Sequence, residues 1–209
     1  MNFNILVEGQ SEIHFINKIL TKIYGKNGTT HSWKIHKHQG VGSIPANLNA
    51  PPNKNTNSLL NLLPAKLRAY EKIATANDRV IVVLDLDNNN LANFNTQLSN
   101  LKNICSPNVD VRFPIASEEL EAWYLGDRAA LMSYNPLINT VILNSYVQDS
   151  IIGTWELLMD ADDPSWRNIG TPKWKSSSKK VEWSKKISTH MDPNINLSPS
   201  FNNFLVAFV

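Results

Sequence analysis

The feature that most constrains this chain is the run Val80-Ile81-Val82-Val83-Leu84, closed by Asp85-Leu86-Asp87. Four β-branched residues and a leucine leave no polar face. A strand of that kind needs apolar cover on both sides, which a central parallel strand flanked by helices receives. The surrounding sequence supplies the helices. Ser11 opens an amphipathic stretch with Ile13, Ile16, Leu20 and Ile23 at spacings of three and four. Leu59, Leu63, Leu67, Tyr70 and Ala74 mark a second helix after Ser58, and Leu91, Phe94, Leu98, Leu101 and Cys105 a third. Further strands are expected at Phe3 to Val7, Trp33 to His38 and Val109 to Phe113, with a Gly-, Pro- and Asn-rich loop from Gly40 to Asn57. Another helix is expected to start at Ser117. Repeated strand–helix units predict an α/β fold with a mainly parallel sheet sandwiched by helices.

After Asp127 the pattern changes. Arg128 to Tyr134, Thr154 to Asp160, Lys180 to Met191 and Pro199 to Phe208 read as helices, and no strand is expected. Residues 1–127 are thus expected to form the α/β domain and residues 128–209 a helical extension packed on it. In the last helix Ser198 is placed to cap and Pro199 to take the first position, with Phe201, Phe204 and Phe208 turned inward.

The 209 residues carry 20 Lys and Arg against 18 Asp and Glu. The single cysteine, Cys105, rules out an intramolecular disulfide and a Cys-rich zinc site. The longest apolar runs are too short to span a bilayer, and the first residues lack the basic start and apolar stretch of a signal peptide. A cytoplasmic protein is expected. The small net charge hides an uneven layout. Residues 1–109 hold 11 basic and 6 acidic side chains, residues 110–163 hold 2 and 10, and residues 164–209 hold 7 and 2.

Acidic residues fall where strands end: Glu8, the pair Asp85 and Asp87, and Glu118 with Glu119. In open parallel sheets, ligands bind in the crevice beyond the carboxyl ends of the strands. The i,i+2 spacing of Asp85 and Asp87 in an extended chain turns both carboxylates the same way, while Leu86 faces the core. Carboxylates converging there repel unless a cation holds them, and a hard divalent ion such as Mg2+ or Mn2+ suits an all-oxygen site. The same Asp-x-Asp can equally cap a following turn.

Val7-Glu8-Gly9-Gln10-Ser11-Glu12 followed by Leu84-Asp85-Leu86-Asp87 resembles the TOPRIM signature, a Glu closing one strand and Asp-x-Asp closing a later one. TOPRIM domains occur in topoisomerases, bacterial primases and OLD-type nucleases. Glu119 to Asp127 and Asn196 to Phe201 further resemble segments of a prokaryotic TOPRIM-like family of unknown function. That family's members include the nuclease effector of ATPase–TOPRIM anti-phage pairs. The resemblance implies a TOPRIM fold and a Mg2+-dependent nuclease. It gives Glu8 the general acid/base role, makes Asp85 and Asp87 ligands of the catalytic Mg2+ together with Glu8, and offers Glu119 as a further ligand. It also implies a nucleic-acid substrate (tRNA, other RNA or DNA), a partner ATPase and a homodimer. Glu118 beside Glu119 leaves open which of the two faces the metal. On a helix, Glu121 lies about 200° round from Glu119, so Glu121 and Asp127 are expected to anchor structure. Glu12 reads as a first-turn residue favoured by the helix dipole.

A nuclease needs a positive surface. Lys173, Lys175, Lys179, Lys180, Lys185 and Lys186 lie close in sequence with Trp174 and Trp183 among them, so lysines could meet phosphates while indoles stack on bases. The competing reading buries Val181, Ser184 and Ile187, or Trp183 and Ile187, and leaves the lysines solvated. His36 and His38 share a strand face without a third ligand nearby. No P-loop or Gly-x-Ser-x-Gly motif is present. Two other functions fit parts of the pattern. A phosphatase of the haloacid-dehalogenase kind also uses Asp-x-Asp after a strand, and a non-catalytic binding or regulatory module needs no metal at all.

Overall fold

The computed structural model describes residues 1–53, 55–150, 153–169 and 173–209, with the side chains of residues 168–169 and 173–176 left aside. Strands β1 (Asn2–Val7), β2 (Ser32–Lys37), β3 (Asp78–Val82) and β5 (Asp110–Arg112) form one parallel sheet in the order β2-β1-β3-β5. Two short strands, β4 (Leu84–Asp85) and β6 (Ile115–Ala116), pair in parallel and prolong β3 and β5. The expected mainly parallel α/β architecture is therefore present, in a Rossmann-like arrangement.

Burial follows the sequence pattern. Ile5, Val7, Ile81 and Val83 face one apolar layer, and Leu6, Val80, Val82 and Leu84 face the other. All eight are nearly inaccessible, as a central strand pair covered on both sides must be. The second layer is closed by α2 (Leu59–Ile73) and α3 (Leu91–Cys105) through Leu63, Leu67, Leu98 and Leu101. The first is closed by α1 (Gln10–Tyr24) and by everything after residue 120: α4 (Glu121–Leu125), α5 (Arg128–Tyr134), α6 (Thr140–Ser145), α7 (Thr154–Asp162), α8 (Trp166–Ile169), α9 (Lys173–His190) and α10 (Pro199–Val206). Among the described residues no strand follows Ala116. Residues 128–209 do not form a core of their own. Leu131, Leu158, Trp183, Ile187, Phe201 and Phe204 share one cluster with Phe3, Ile5 and Phe15.

Two details of the strands shape the site. The apolar run Val80 to Leu84 is paired on both sides, and its β1 side gives out first. Val83 N–H still donates to Leu6 C=O at 3.0 Å, but Leu84, Leu86 and Asp87 N–H donate to Pro114, Ala116 and Glu118 C=O at 3.1, 3.0 and 2.8 Å. β1 ends at Val7 and turns into α1, so a gap opens beyond it. Second, the helix expected from Ser117 starts only at Glu121. Glu118 has φ +63°, a left-handed backbone that a helix cannot continue through, and Ser117 N–H turns aside to Ser200 Oγ at 3.3 Å.

The two segments that carried the narrower resemblance pack on each other. Asn196 Nδ2 donates to Trp123 C=O at 2.8 Å, Leu197 N–H to Gly126 C=O at 2.9 Å and Trp123 Nε1 to Ser200 Oγ at 2.9 Å. A side chain at Gly126 would collide with Asn196 and with the Ser198 backbone, so the close approach requires glycine. Ser198 Oγ accepts Phe201 N–H at 3.1 Å with Pro199 in the first turn of α10, as its sequence indicates.

Candidate active site at the carboxyl end of the sheet

In the gap beyond β1, the Glu8 side chain replaces a strand partner. Its Oε1 accepts the Asp85 N–H at 3.4 Å. Residues 77 positions apart are thereby joined at the end of the central strands. Glu12, one turn into α1, accepts Gly9 N–H at 3.1 Å and Ser11 Oγ–H at 3.2 Å. These bonds fix the turn out of β1 and leave a buried carboxylate facing Glu8 and Asp85. Asp87 follows with φ +47°, held by the Glu118 carbonyl. Strained backbone of this kind is tolerated where surrounding contacts fix it, and it clusters at functional sites.

From the other side come Glu119 and Glu121. Glu119 precedes α4 instead of belonging to it, so the helical angle expected to separate the two acids does not apply. Both meet one cation. Lys180 Nζ, from α9, donates to Glu119 Oε1 at 2.9 Å and lies 3.7 Å from Glu121 Oε2. Glu119 Oε2 and Glu121 Oε1 are buried without a hydrogen-bond partner. Glu118 faces elsewhere. Its two oxygens accept Gly153 N–H at 2.8 Å and Thr154 N–H at 2.5 Å, capping α7. Of the neighbouring glutamates, Glu119 faces the acid cluster and Glu118 holds a helix. Asp127 is structural as expected, accepting Ala130 N–H and Asp192 N–H, whereas Arg128 pairs with neither acid and binds Asn144 and Tyr146.

Glu8, Asp85, Asp87, Glu119 and Glu121 gather near one ammonium, and their proton affinities show the strain. Burial, then the charges of Glu12 and Asp87, pushes the Glu8 carboxyl up to about 8 against the opposing Asp85 N–H and Lys180. Asp85 is raised further above its ordinary range by burial and by Glu8, Glu12 and Glu121. Burial raises Glu121 to about 7 and lifts Asp87 and Glu119, with Lys180 opposing in each case. Burial alone would lower Lys180, but Glu121 and Glu119 outweigh it and hold the ammonium above its usual value. Groups so displaced and gathered at the carboxyl end of a parallel sheet make a candidate functional site.

The donor chemistry fits a hard divalent cation: every candidate ligand is a carboxylate, negative charge is in excess, and two buried oxygens have nothing to bind. The side chains do not close into a cage. Among the described residues, no group of three or more His, Cys, Asp or Glu stands at metal-binding spacing.

The lysine stripe of α9 is not one surface. Helical geometry sends successive residues about 100° apart, and Lys180 points into the acid site. Lys179 binds Asp162 at 2.9 Å and Glu182 at 3.5 Å, and Lys186 binds Glu182 at 2.8 Å. Trp183 is fully buried, its Nε1 donating to Asp162, and it cannot stack on a base. Lys185 is exposed. The side chains of Lys173 and Lys175, with Trp174, lie outside the described residues. The described lysines of this run thus stand in separate settings, and Trp183 and Ile187 are buried as in the competing reading. No motif in the sequence marked Lys180 for the acid site.

Residues 7–208 match a family described as Domain of unknown function (DUF4276), and the chain belongs to that family. No curated protein matches the chain, and no solved structure does. Among the described residues, no helix is long and apolar enough to cross a membrane.

Proposed function

We propose that this DUF4276 member is a metal-dependent nuclease of TOPRIM type that hydrolyses nucleic-acid phosphodiester bonds at the acid site. The observation that carries the reading is the meeting of Glu8, from the end of β1, with the Asp85–Asp87 segment at the end of the central strand. The site lies at the carboxyl end of a parallel sheet, where such sheets bind ligands. Its negative charge exceeds what Lys180 can offset. Asp85, Asp87 and Glu119 would hold the cation, Mg2+ or Mn2+, which when bound offsets charge developing on the phosphate oxygens. Glu8, its carboxyl near neutrality, takes the proton of the attacking water and can return it to the leaving oxygen. Lys180 keeps Glu119 and Glu121 in place and adds a fixed positive charge beside the reacting phosphate. The resemblance to effectors of ATPase–TOPRIM pairs extends the proposal to anti-phage defence beside a partner ATPase.

The test is incubation with RNA, tRNA and DNA in Mg2+ or Mn2+. Cleavage is expected from the wild-type chain and not from Glu8→Gln or Asp85→Asn; undiminished cleavage in both variants contradicts the assignment. A second reading, a non-catalytic module, is favoured by one observation: Lys180 already stands 2.9 Å from Glu119, and no ready-made ligand cage surrounds it among the described residues. It requires that neither Mg2+ nor Mn2+ bind. The haloacid-dehalogenase alternative leaves Glu8 without a role, and turnover of a simple phosphate monoester without nuclease activity would restore it.

A further inference from the structure

The two helices that carry Glu12 and Lys180 also frame a groove that the proposed chemistry does not use. The seam between α1 and α9 opens into a cavity of about 420 Å3 lined by His14, Asn17, Lys18, Thr21, Lys185 and Ser188. All six side chains are polar, three carry nitrogen bases and none is an acid. Lys18 and Lys185 are exposed, and among the described residues neither is paired with a carboxylate. The contrast lies within one helix, since Lys179, Lys180 and Lys186 each have an acid within 4 Å. Burial and the Lys185 charge also hold the His14 imidazole below its usual proton affinity. The groove has gathered positive charge with nothing to neutralise it.

Its walls are the two helices that also carry Glu12 and Lys180. Ser184 Oγ donates to Ser11 C=O, and Lys22 Nζ donates to Thr189 and Met191 C=O, so the two helices run side by side in the same direction. On α9, Lys185 and Ser188 lie five and eight residues beyond Lys180, about 8 and 12 Å along the axis at 1.5 Å per residue. On α1, His14 and Lys18 lie about 3 and 9 Å beyond Glu12 by the same rise. A nucleic-acid strand advances about 3.4 Å per nucleotide along a helix. Two exposed ammonium groups without an aromatic platform suit phosphate oxygens and not bases.

We propose that this groove seats backbone phosphates of the substrate strand two to four nucleotides from the bond cut at the acid site. The choice of strand rests on the nuclease reading, whereas the groove's selectivity for phosphate does not. The test is fluorescence anisotropy of a 5′-labelled 12-nucleotide RNA with the full chain, with Ca2+ in place of Mg2+ to prevent turnover. Lys18→Ala/Lys185→Ala is expected to weaken binding at least tenfold at moderate salt. It should also lower the slope of log affinity on log salt by about 1.4, two contacts at about 0.7 each for a single strand. A labelled dinucleotide, too short to reach the groove from the acid site, should bind wild type and variant alike. Both lysines are exposed, so the melting temperature should not move, and Lys34→Ala/Lys72→Ala controls for general loss of positive charge. The proposal is overturned if groove and control variants share one slope, if no oligonucleotide binds, or if poly-glutamate displaces the RNA as well as an unlabelled strand of equal charge. Loss of RNA binding in the groove variant, beside wild-type cleavage by Glu8→Gln, would support the groove while removing the acid site from catalysis.

Discussion

The two ends of this sheet treat their charged side chains in opposite ways. At the amino end Asp78 accepts the Thr75 hydroxyl and N–H and the Asn2 amide, and these bonds hold it below the ordinary carboxylate range. Asp110, despite partial burial, is likewise lowered by Arg112 and Arg79. Arg79 spends its remaining donors on the carbonyls of Ala207 and Val209, tying the last helix to the strand. At the carboxyl end Glu8, Asp85, Asp87, Glu119 and Glu121 are all raised, with burial as the largest cause each time. One end satisfies its charges within the chain. The other gathers more buried carboxyls than its one lysine can offset, and the proposed function rests on that imbalance.

The comparison breaks most visibly in activity. Glu8→Gln and Asp85→Asn should each lower phosphodiester cleavage by about 10²- to 10³-fold without lowering the melting temperature, because each removes one of several repelling carboxylates. A fall in stability with cleavage retained would reverse the roles of the two ends. At the amino end, Arg79→Ala should destabilise by about 2 kcal/mol, since it leaves the buried Ala207 carbonyl without its donor and removes one of the two cations that hold Asp110, and denaturant unfolding would measure it. Removal without loss there would show that the satisfied end is not structural.

The pH dependence sharpens the contrast. Glu8 sits at about 8 and Glu121 at about 7 in the folded chain, against an ordinary 4.5. The folded state therefore keeps protons that the unfolded chain releases, and this contribution to stability is lost as pH rises from about 4.5 to 8. Thermal melts in metal-free buffer should fall across that interval, and Glu8→Gln should flatten its upper half; a profile rising through it would contradict the raised values. The smallest effect concerns Glu118. Its replacement by Ala should cost about 1 kcal/mol by uncapping α7, read from the denaturation midpoint, whereas Glu119→Ala should leave stability nearly unchanged.

How much of this was legible in the sequence depends on how local the signal is. The run Val80 to Leu84 required cover on both faces and received it, and the Leu, Ile and Phe periodicities placed α1, α2, α3 and α10 because each buries one stripe. Ser198 and Pro199 marked their helix start for the same reason: a cap acts within three residues. The late start of α4 was hidden because it turns on the left-handed backbone at Glu118, and Glu118 looks like any first-turn glutamate until Gly153 and Thr154 are seen to claim it. The convergence of Glu8 with Asp85 and Asp87 could be inferred from strand ends and family resemblance. Lys180 could not, because its role depends on α9 crossing α1, a contact between segments about 170 residues apart. The described α9 lysines fall into different settings for a related reason, since proximity along a helix disperses side chains around it.

The most direct test of the central claim is titration calorimetry of the metal-free chain with Mn2+ near pH 7. The account expects a saturable binding event accompanied by proton release, since carboxyls held near neutrality must ionise to take the ion, and expects it to vanish in Asp85→Asn. Absence of binding in the wild-type chain, or equal binding in the variant, would contradict it.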